Sequence, residues 1–225
     1  MGEGRISVVI PALDEEACLA RAIRSVAADA EVIVADGCSR DRTREVAQGL
    51  GALVLSCPPS RGGQMGLGAG RSSGGWLLFL HADTWLELGW AQAIRALGPE
   101  VAGGAFRLAI DAPGRAYRVI EAAVDVRSRF FGLPYGDQAL FARRSVYDRL
   151  GGMAPIPLME DVDLVRRLRG AGRLAFLRHR AFTSPRRWER HGVFGTSFRN
   201  WRLLALYAAG VPPSRLARMY GPPAR

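Results

Sequence analysis

An α/β domain, with a mainly parallel sheet flanked by helices, is the fold this sequence predicts. Three observations carry the prediction. Short aliphatic and β-branched runs alternate with stretches of helical periodicity from the N-terminus to about residue 98, as in βαβ units. Several of these runs stop abruptly, at Pro11, Gly37 or His81. Beyond Gly98 the pattern changes to strand, long helix, strand and helix, which predicts a mixed sheet in the second half.

The elements follow in order. "RISVVI", Arg5 to Ile10, predicts the first strand, with Pro11 ending it. Asp14 is placed to cap "EEACLARAIRSVAA", whose apolar residues recur at helical spacing. "EVIVAD" predicts a second strand stopped by Gly37, and Ser39 or Asp41 can cap a helix beginning near Arg42. "ALVLSC" predicts the third strand, "GGQMGLGAGRSS" a Gly-rich helix, and "WLLFL" the fourth strand. After it, "HADT" ends an apolar run on an imidazole and a carboxylate before amphipathic sequence resumes.

In the second half "GGAFRLAI" reads as a strand, "RAYRVIEAAVDVRSRFF" as a helix and "QALFARR" as a strand. "EDVDLVRRLRGAG" reads as a helix closed by Gly. "RLAFL" and "AFTS" are expected to pair as short strands before a final helical stretch, Val193 to Ala209. No repeat or linker divides the chain. Residues 1–225 are therefore expected to form one domain, with a nucleotide-binding half to about 98 and an acceptor half after it.

Composition narrows the class. Hydrophobic residues make up 48% and charged residues 23% of the 225 residues, which fits a globular protein rather than a disordered one. No apolar run reaches the roughly 18 residues of a membrane span, and the N-terminus lacks a signal-peptide layout. Cys18, Cys38 and Cys57 are odd in number and lack metal-ligand spacing. Together these predict reduced thiols and a cytoplasmic location. The formal charge is +10 and every basic residue other than His is Arg. Such charge favours anionic partners, namely phosphorylated substrates, nucleic acid or a phospholipid surface. It does not choose among them, and no nucleic-acid-binding signature is present.

The chemistry concentrates at strand ends: "VVIPALDEE", "VIVADGCSRD" and "FLHADT". In a parallel sheet these ends share one edge, so Asp14, Asp36 and Asp83 are expected to approach one crevice. Singly, each such Asp reads as a helix cap. Gathered together they would repel unless a cation or a donor sat among them.

The ordered set "SVVIPALDEE", "VIVADGCSRDRT", "FLHADT", "PLMEDVDLVRRL" and "SPRRWERHG" resembles the family-2 glycosyltransferases with the GT-A fold, a Rossmann-like architecture. The likeness runs from about Ile6 to beyond Trp188. More narrowly, "GGQMGLGAG", "LHADT" and "YGDQALFARR" resemble a subfamily named for arsenosugar biosynthesis. The resemblance implies an inverting, metal-dependent transferase that uses a nucleotide diphosphate sugar, UDP favoured over GDP, and a small-molecule or lipid acceptor.

Residue by residue, Pro11, Ala12 and Asp14 match the loop around base and ribose, and Asp36 matches the acid that contacts a uracil-type ring. Asp83 matches the last acid of an Asp-x-Asp motif that holds Mg²⁺ or Mn²⁺ against the diphosphate; a hard cation shared with phosphate and water needs few protein ligands. His81 stands where the first acid of that motif is usual, a departure that suits Mn²⁺ better than Mg²⁺. It is placed with the donor-binding residues, as are Arg61 and Gln64. Asp161 matches the general base, with Glu160 assisting. In purely structural terms these acids also favour a helix N-terminus. Arg187 and Trp188 match an Arg-Trp pair serving diphosphate and acceptor, with Ser184 where relatives carry Gln. Asp137 and Gln138 are expected in the acceptor pocket, and His191 near the metal. The Arg-bearing C-terminal helices either close the core or touch the inner face of a membrane. Two other readings share some of these features: a sugar-nucleotide-forming nucleotidyltransferase and a non-catalytic Arg-rich nucleic-acid- or anion-binding protein.

Overall fold

The computed structural model describes residues 4–220. One mixed sheet of eight strands carries it, with helices on both faces. In chain order the strands are β1 (Ile6–Ala12), β2 (Glu31–Asp36), β3 (Leu53–Ser56), β4 (Trp76–Phe79), β5 (Thr84–Leu86), β6 (Val101–Ile110), β7 (Leu140–Arg143) and β8 (Arg173–Thr183). The helices are α1 (Leu19–Val26), α2 (Thr43–Gly49), α3 (Arg61–Arg71), α4 (Trp90–Arg95), α5 (Arg115–Phe131), α6 (Arg144–Arg149), α7 (Glu160–Ala171), α8 (Arg186–His191), α9 (Val193–Ala208) and α10 (Pro213–Tyr220).

The sheet order is β3-β2-β1-β4-β7-β6-β8-β5. β1 to β4 are parallel, as the alternation predicts. β7 runs antiparallel to both β4 and β6, β8 parallel to β6, and β5 antiparallel to β8. This is the mixed second half.

Period-two alternation sets the layers. Ile6, Val8, Ile10 and Ala12 of β1 pack with α1, α2 and α4, whereas Val9 packs on the other face with α3, α6 and α7. Each fully buried aliphatic side chain of this kind contributes roughly 1.5–3 kcal/mol. α3 contains five glycines in eleven residues, a composition that costs helix stability. Tertiary packing offsets that cost, because a Cβ at Gly68 would lie 2.4 Å from Val9 Cγ1. Glycine there lets the helix lie close against β1. Ser60 caps α3 by accepting from the Gly63 N–H.

Three local expectations change, and one strand is added. Pro11 does not end β1, which continues to Ala12 opposite Asp36; its ring costs one N–H but leaves the extended backbone intact. Asp14 does not cap α1, whose N-cap is Cys18. Thr84–Leu86 forms β5, with Trp85 stacked on Phe182 of β8 at 5.8 Å. The two short strands expected near the C-terminus are one, β8, which shifts register against β6 and so reaches both β6 and β5.

Candidate functional site

The parallel ends of β1, β2 and β4 meet at one edge of the sheet, and two loops there are laced together. Asp14 adopts a left-handed backbone (φ 54°). Its N–H donates to Ser39 Oγ at 2.9 Å, and its carboxylate accepts from the Arg40 N–H at 2.7 Å. The Glu15 N–H donates to Thr43 Oγ1 at 2.8 Å, and the Glu16 N–H to Asp41 Oδ2 at 3.0 Å. Four such bonds give this wall a fixed shape without regular structure.

Asp36 anchors the wall from beneath. It is wholly buried, both carboxylate oxygens accept from the Ser39 N–H, and Arg44 Nε lies 3.2 Å from Oδ2. The expected direct contact with a base is thus closed to solvent, and the side chain instead orders Ser39 and, through it, Asp14. Ala12 is buried and Pro11 half-buried at the end of β1. Gln64 departs from the donor-binding role: its amide nitrogen donates to the carbonyls of Ala12 (2.9 Å) and Ala35 (2.7 Å), clasping β1 to β2.

Beside this wall, one nitrogen of Arg186 donates to Glu15 Oε2 at 2.8 Å and to Asp83 Oδ2 at 3.1 Å. Glu15 comes from the loop after β1, Asp83 from the loop after β4 and Arg186 from the start of α8. Three distant segments are joined by one guanidinium. Burial pushes the Glu15 carboxyl above its ordinary range, against the Arg186 bond. Neither Glu15 nor Arg186 stood among the expected site residues. The only signal for Glu15 was its position next to Asp14; Arg186 lies beside the motif-matched Arg187.

Two residues before Asp83, His81 faces a small cavity lined also by Arg61, Phe79, Gly136, Glu160 and Asp161. Asp161 sits in the first turn of α7, where the helix dipole favours an acid. Its Oδ2 accepts from the Gly136 N–H at 2.8 Å and its Oδ1 from the Val162 N–H at 2.8 Å. A Cβ on Gly136 would lie 2.8 Å from His81 Nε2 and 3.3 Å from Asp161 Oδ2. His81 and Asp161 therefore both crowd the side of this glycine where a Cβ would stand.

Glu160 is buried, and Arg61 Nε lies 3.9 Å from its Oε1. Burial, reinforced by the Asp161 charge and only partly countered by Arg61, pushes the Glu160 carboxyl up to about 7. Arg61, expected beside the nucleotide, thus stands with the acids of α7. About half of the Arg61 side chain stays exposed, so the charges of Glu160, Asp161 and Asp83 prevail over its partial burial and hold its pKa above the ordinary value. Asp83 and the two acids of α7 accordingly act on one cation.

The remaining expectations divide. Asp137 lies half-buried in the 3-10 turn Gly136–Gln138. Gln138 is buried and structural rather than acceptor-lining: its Oε1 accepts from Ser128, Arg127 and the Tyr135 N–H, and its Nε2 donates to the Phe106 carbonyl. Trp188 is buried with Leu108 and Ile110 of β6, so it packs in the core and is not an open acceptor platform. The side chains of Arg187 and His191 lie outside the described residues.

A hard divalent cation asks for oxygen ligands. Among the described residues no group of three His, Cys, Asp or Glu side chains is arranged to hold a metal. Asp83 and Glu15, already sharing one positive group, fit an ion that takes its other ligands from a diphosphate and water. They do not fit an ion held by protein alone.

A glycosyl transferase family 2 model matches residues 7–156. Solved structures of similar fold include the Staphylococcus aureus TarS 1–349 fragment in complex with UDP, at 15% identity and a TM-score of 0.60 over 80% of this chain and 61% of that one. Another is the Pyrobaculum calidifontis mannosyltransferase PcManGT in complex with GDP-Man and Mn²⁺, at 15% identity and a TM-score of 0.63 over 79% of this chain and 56% of that one. A third is the Mycobacterium tuberculosis glucosyl-3-phosphoglycerate synthase with Mn²⁺, UDP and glucosyl-3-phosphoglycerate, at 23% identity and a TM-score of 0.59 over 92% of this chain and 81% of that one. The chain spans about three fifths of the length of the first two. No curated protein sequence matches it.

Proposed function

The chain belongs to glycosyl transferase family 2, and from that premise we propose that it is an inverting transferase moving a sugar from a nucleotide diphosphate sugar to a hydroxyl acceptor. The observation that carries the reading is two acid centres served by the one loop after β4, which gives Asp83 to the first and His81 to the second. Asp83 and Glu15 stand under Arg186 on one side, and Asp161 stands against Gly136 and His81 on the other.

The residues divide the work. The laced wall formed by Asp14 and Ser39, ordered by Asp36, encloses base and ribose. Asp83 would hold a divalent cation, which would supply positive charge beside the diphosphate. Arg186 turns from its two carboxylates toward phosphate oxygens when the donor arrives, since charge-assisted bonds to phosphate match those it leaves. Asp161 accepts the proton of the acceptor hydroxyl as that oxygen attacks the anomeric carbon opposite the diphosphate. Glu160, near pH 7 still partly protonated, limits the negative charge beside Asp161. His81 borders the space where the sugar would sit. A UDP-sugar is the favoured donor. The narrower likeness to the arsenosugar-named subfamily concerns pathway and assigns no acceptor.

The test is thermal stabilisation by UDP- and GDP-sugars with and without Mn²⁺ or Mg²⁺, because a ligand that binds only the folded chain raises its melting temperature. Metal-dependent stabilisation by a nucleotide sugar, followed by release of nucleoside diphosphate, supports the reading. No stabilisation by any nucleotide sugar overturns it. Release of inorganic pyrophosphate when the chain is given a nucleoside triphosphate and a sugar 1-phosphate would instead assign it to nucleotide-sugar synthesis.

A further inference from the structure

Helix α5 presents an apolar stripe to solvent. Val119, Val126 and Phe130 are 68%, 50% and 81% exposed, and the adjoining Phe131 is 59% exposed. Positions 119, 123, 126 and 130 fall on one face of a helix with 3.6 residues per turn, and Ala123 between them is exposed as well. The opposite face supplies the contacts that hold α5 to the protein: Tyr117, Ile120 and Val124 pack against Leu108 and Ile110, and Glu121 accepts from the Ile110 N–H. The stripe is therefore not a core face displaced outward.

Arg115, Arg118 and Arg129 lie along one flank of the stripe by the same helical geometry. Arg118 pairs with Glu121 and Arg129 with Asp125, so the helix carries four arginines against two acids. An apolar face bordered by basic residues is the layout of a helix that lies in the interfacial plane of a bilayer. Charge selects the occupant. A second copy of a chain with net charge +10 brings like charges together, whereas an anionic lipid surface neutralises them.

The end of α5 leads directly to the base. The helix closes at Gly132 in a left-handed conformation, and Arg127 then donates to the Leu133 carbonyl at 3.0 Å and stacks 3.5 Å over the Tyr135 ring. The next residue, Gly136, donates to Asp161. We propose that α5 docks on anionic bilayers through Val119, Val126, Phe130 and Phe131, bringing Asp161 to the headgroup layer and making an amphiphilic, membrane-borne hydroxyl compound the acceptor class. The acceptor class rests on the proposed transfer reaction; the docking surface does not. α9 of the C-terminal region also exposes Phe198 and Trp201, but the segment tied to Asp161 follows α5.

The experiment is co-sedimentation of the full chain with phosphatidylcholine vesicles and with vesicles of phosphatidylcholine and phosphatidylglycerol at 7:3. No donor is needed, so the outcome is independent of whether the chain transfers sugar. Binding is expected only to the anionic vesicles. It should weaken about tenfold in the V126E/F130E double variant and weaken again at 0.5 M salt, while the thermal melt of that exposed variant stays within a few degrees of the parent. Absence of binding to anionic vesicles overturns the proposal, as does equal binding of parent and variant. A vesicle-free dimer that the double substitution dissolves would overturn it in favour of self-association.

Discussion

One guanidinium nitrogen of Arg186 lies 2.8 Å from Glu15 and 3.1 Å from Asp83, so two acids from separate loops share one positive group. Without it they face each other across a partly buried gap, where like charges disfavour ionisation. Arg186→Ala is therefore expected to raise Mn²⁺ affinity about tenfold in the absence of nucleotide, because the ion replaces the lost guanidinium. The same change should lower nucleoside-diphosphate affinity about tenfold at fixed Mn²⁺. Calorimetric titration reads both, and unchanged Mn²⁺ affinity would show that the two acids do not share a cation.

Asp161 is held by two backbone N–H groups, one from its own helix and one from Gly136. Asp161→Asn keeps the shape but removes the proton acceptor. Transfer is expected to fall by about 10²–10⁴-fold, the usual worth of a general base, while donor affinity stays within threefold. Single-turnover kinetics beside donor titration separates the two, and a parallel loss of donor binding would assign Asp161 to the nucleotide instead.

Gly136 leaves room that a methyl group would fill at 2.8 Å from His81 Nε2. Gly136→Ala should displace His81 and Asp161 together. Turnover should drop at least tenfold with only a few degrees lost in the melt. Wild-type turnover in this variant would place the reacting atoms away from the cavity between these side chains.

Glu160 carries a carboxyl pushed from 4.5 to about 7 by burial and the Asp161 charge. Below about pH 4.5 it is protonated in both folded and unfolded chains and makes no difference to stability. Between about 4.5 and 7 the unfolded chain loses this proton first, so stability falls as pH rises; above about 7 the loss is complete. Glu160→Gln removes it. The variant should melt level with the parent at pH 4.5 and several degrees higher at pH 8, a gain of up to roughly 3 kcal/mol. A gap that is constant across pH would mean that the carboxyl titrates normally.

Much of the fold is legible from periodicity because β1, β2 and β4 are buried on both faces and read as unbroken aliphatic runs. β5 is not, since three residues carry no period; its position depends on Trp85 finding Phe182 almost a hundred residues later. At the site, strand-end acids are visible because parallel strands must deliver them to one edge. The clasps made by Gln64 and Gln138 are not, because a buried amide and a ligand-binding amide have the same sequence signature. Arg186 and Arg187 differ by one position and so by about 100° around α8. A motif cannot resolve that angle, whereas the distances to Glu15 and Asp83 do.

The order of strands has a consequence for dividing the molecule. β4 pairs with β7 and β5 with β8, so each strand that completes the first half's share of the sheet leans on a partner from the second. A break engineered in the loop between α4 and β6 would create two fragments with raw hydrogen-bonding edges, neither holding both acid centres. Such fragments suit a complementation assay, in which recovered activity reports reassembly of the entire sheet rather than independent folding of its parts.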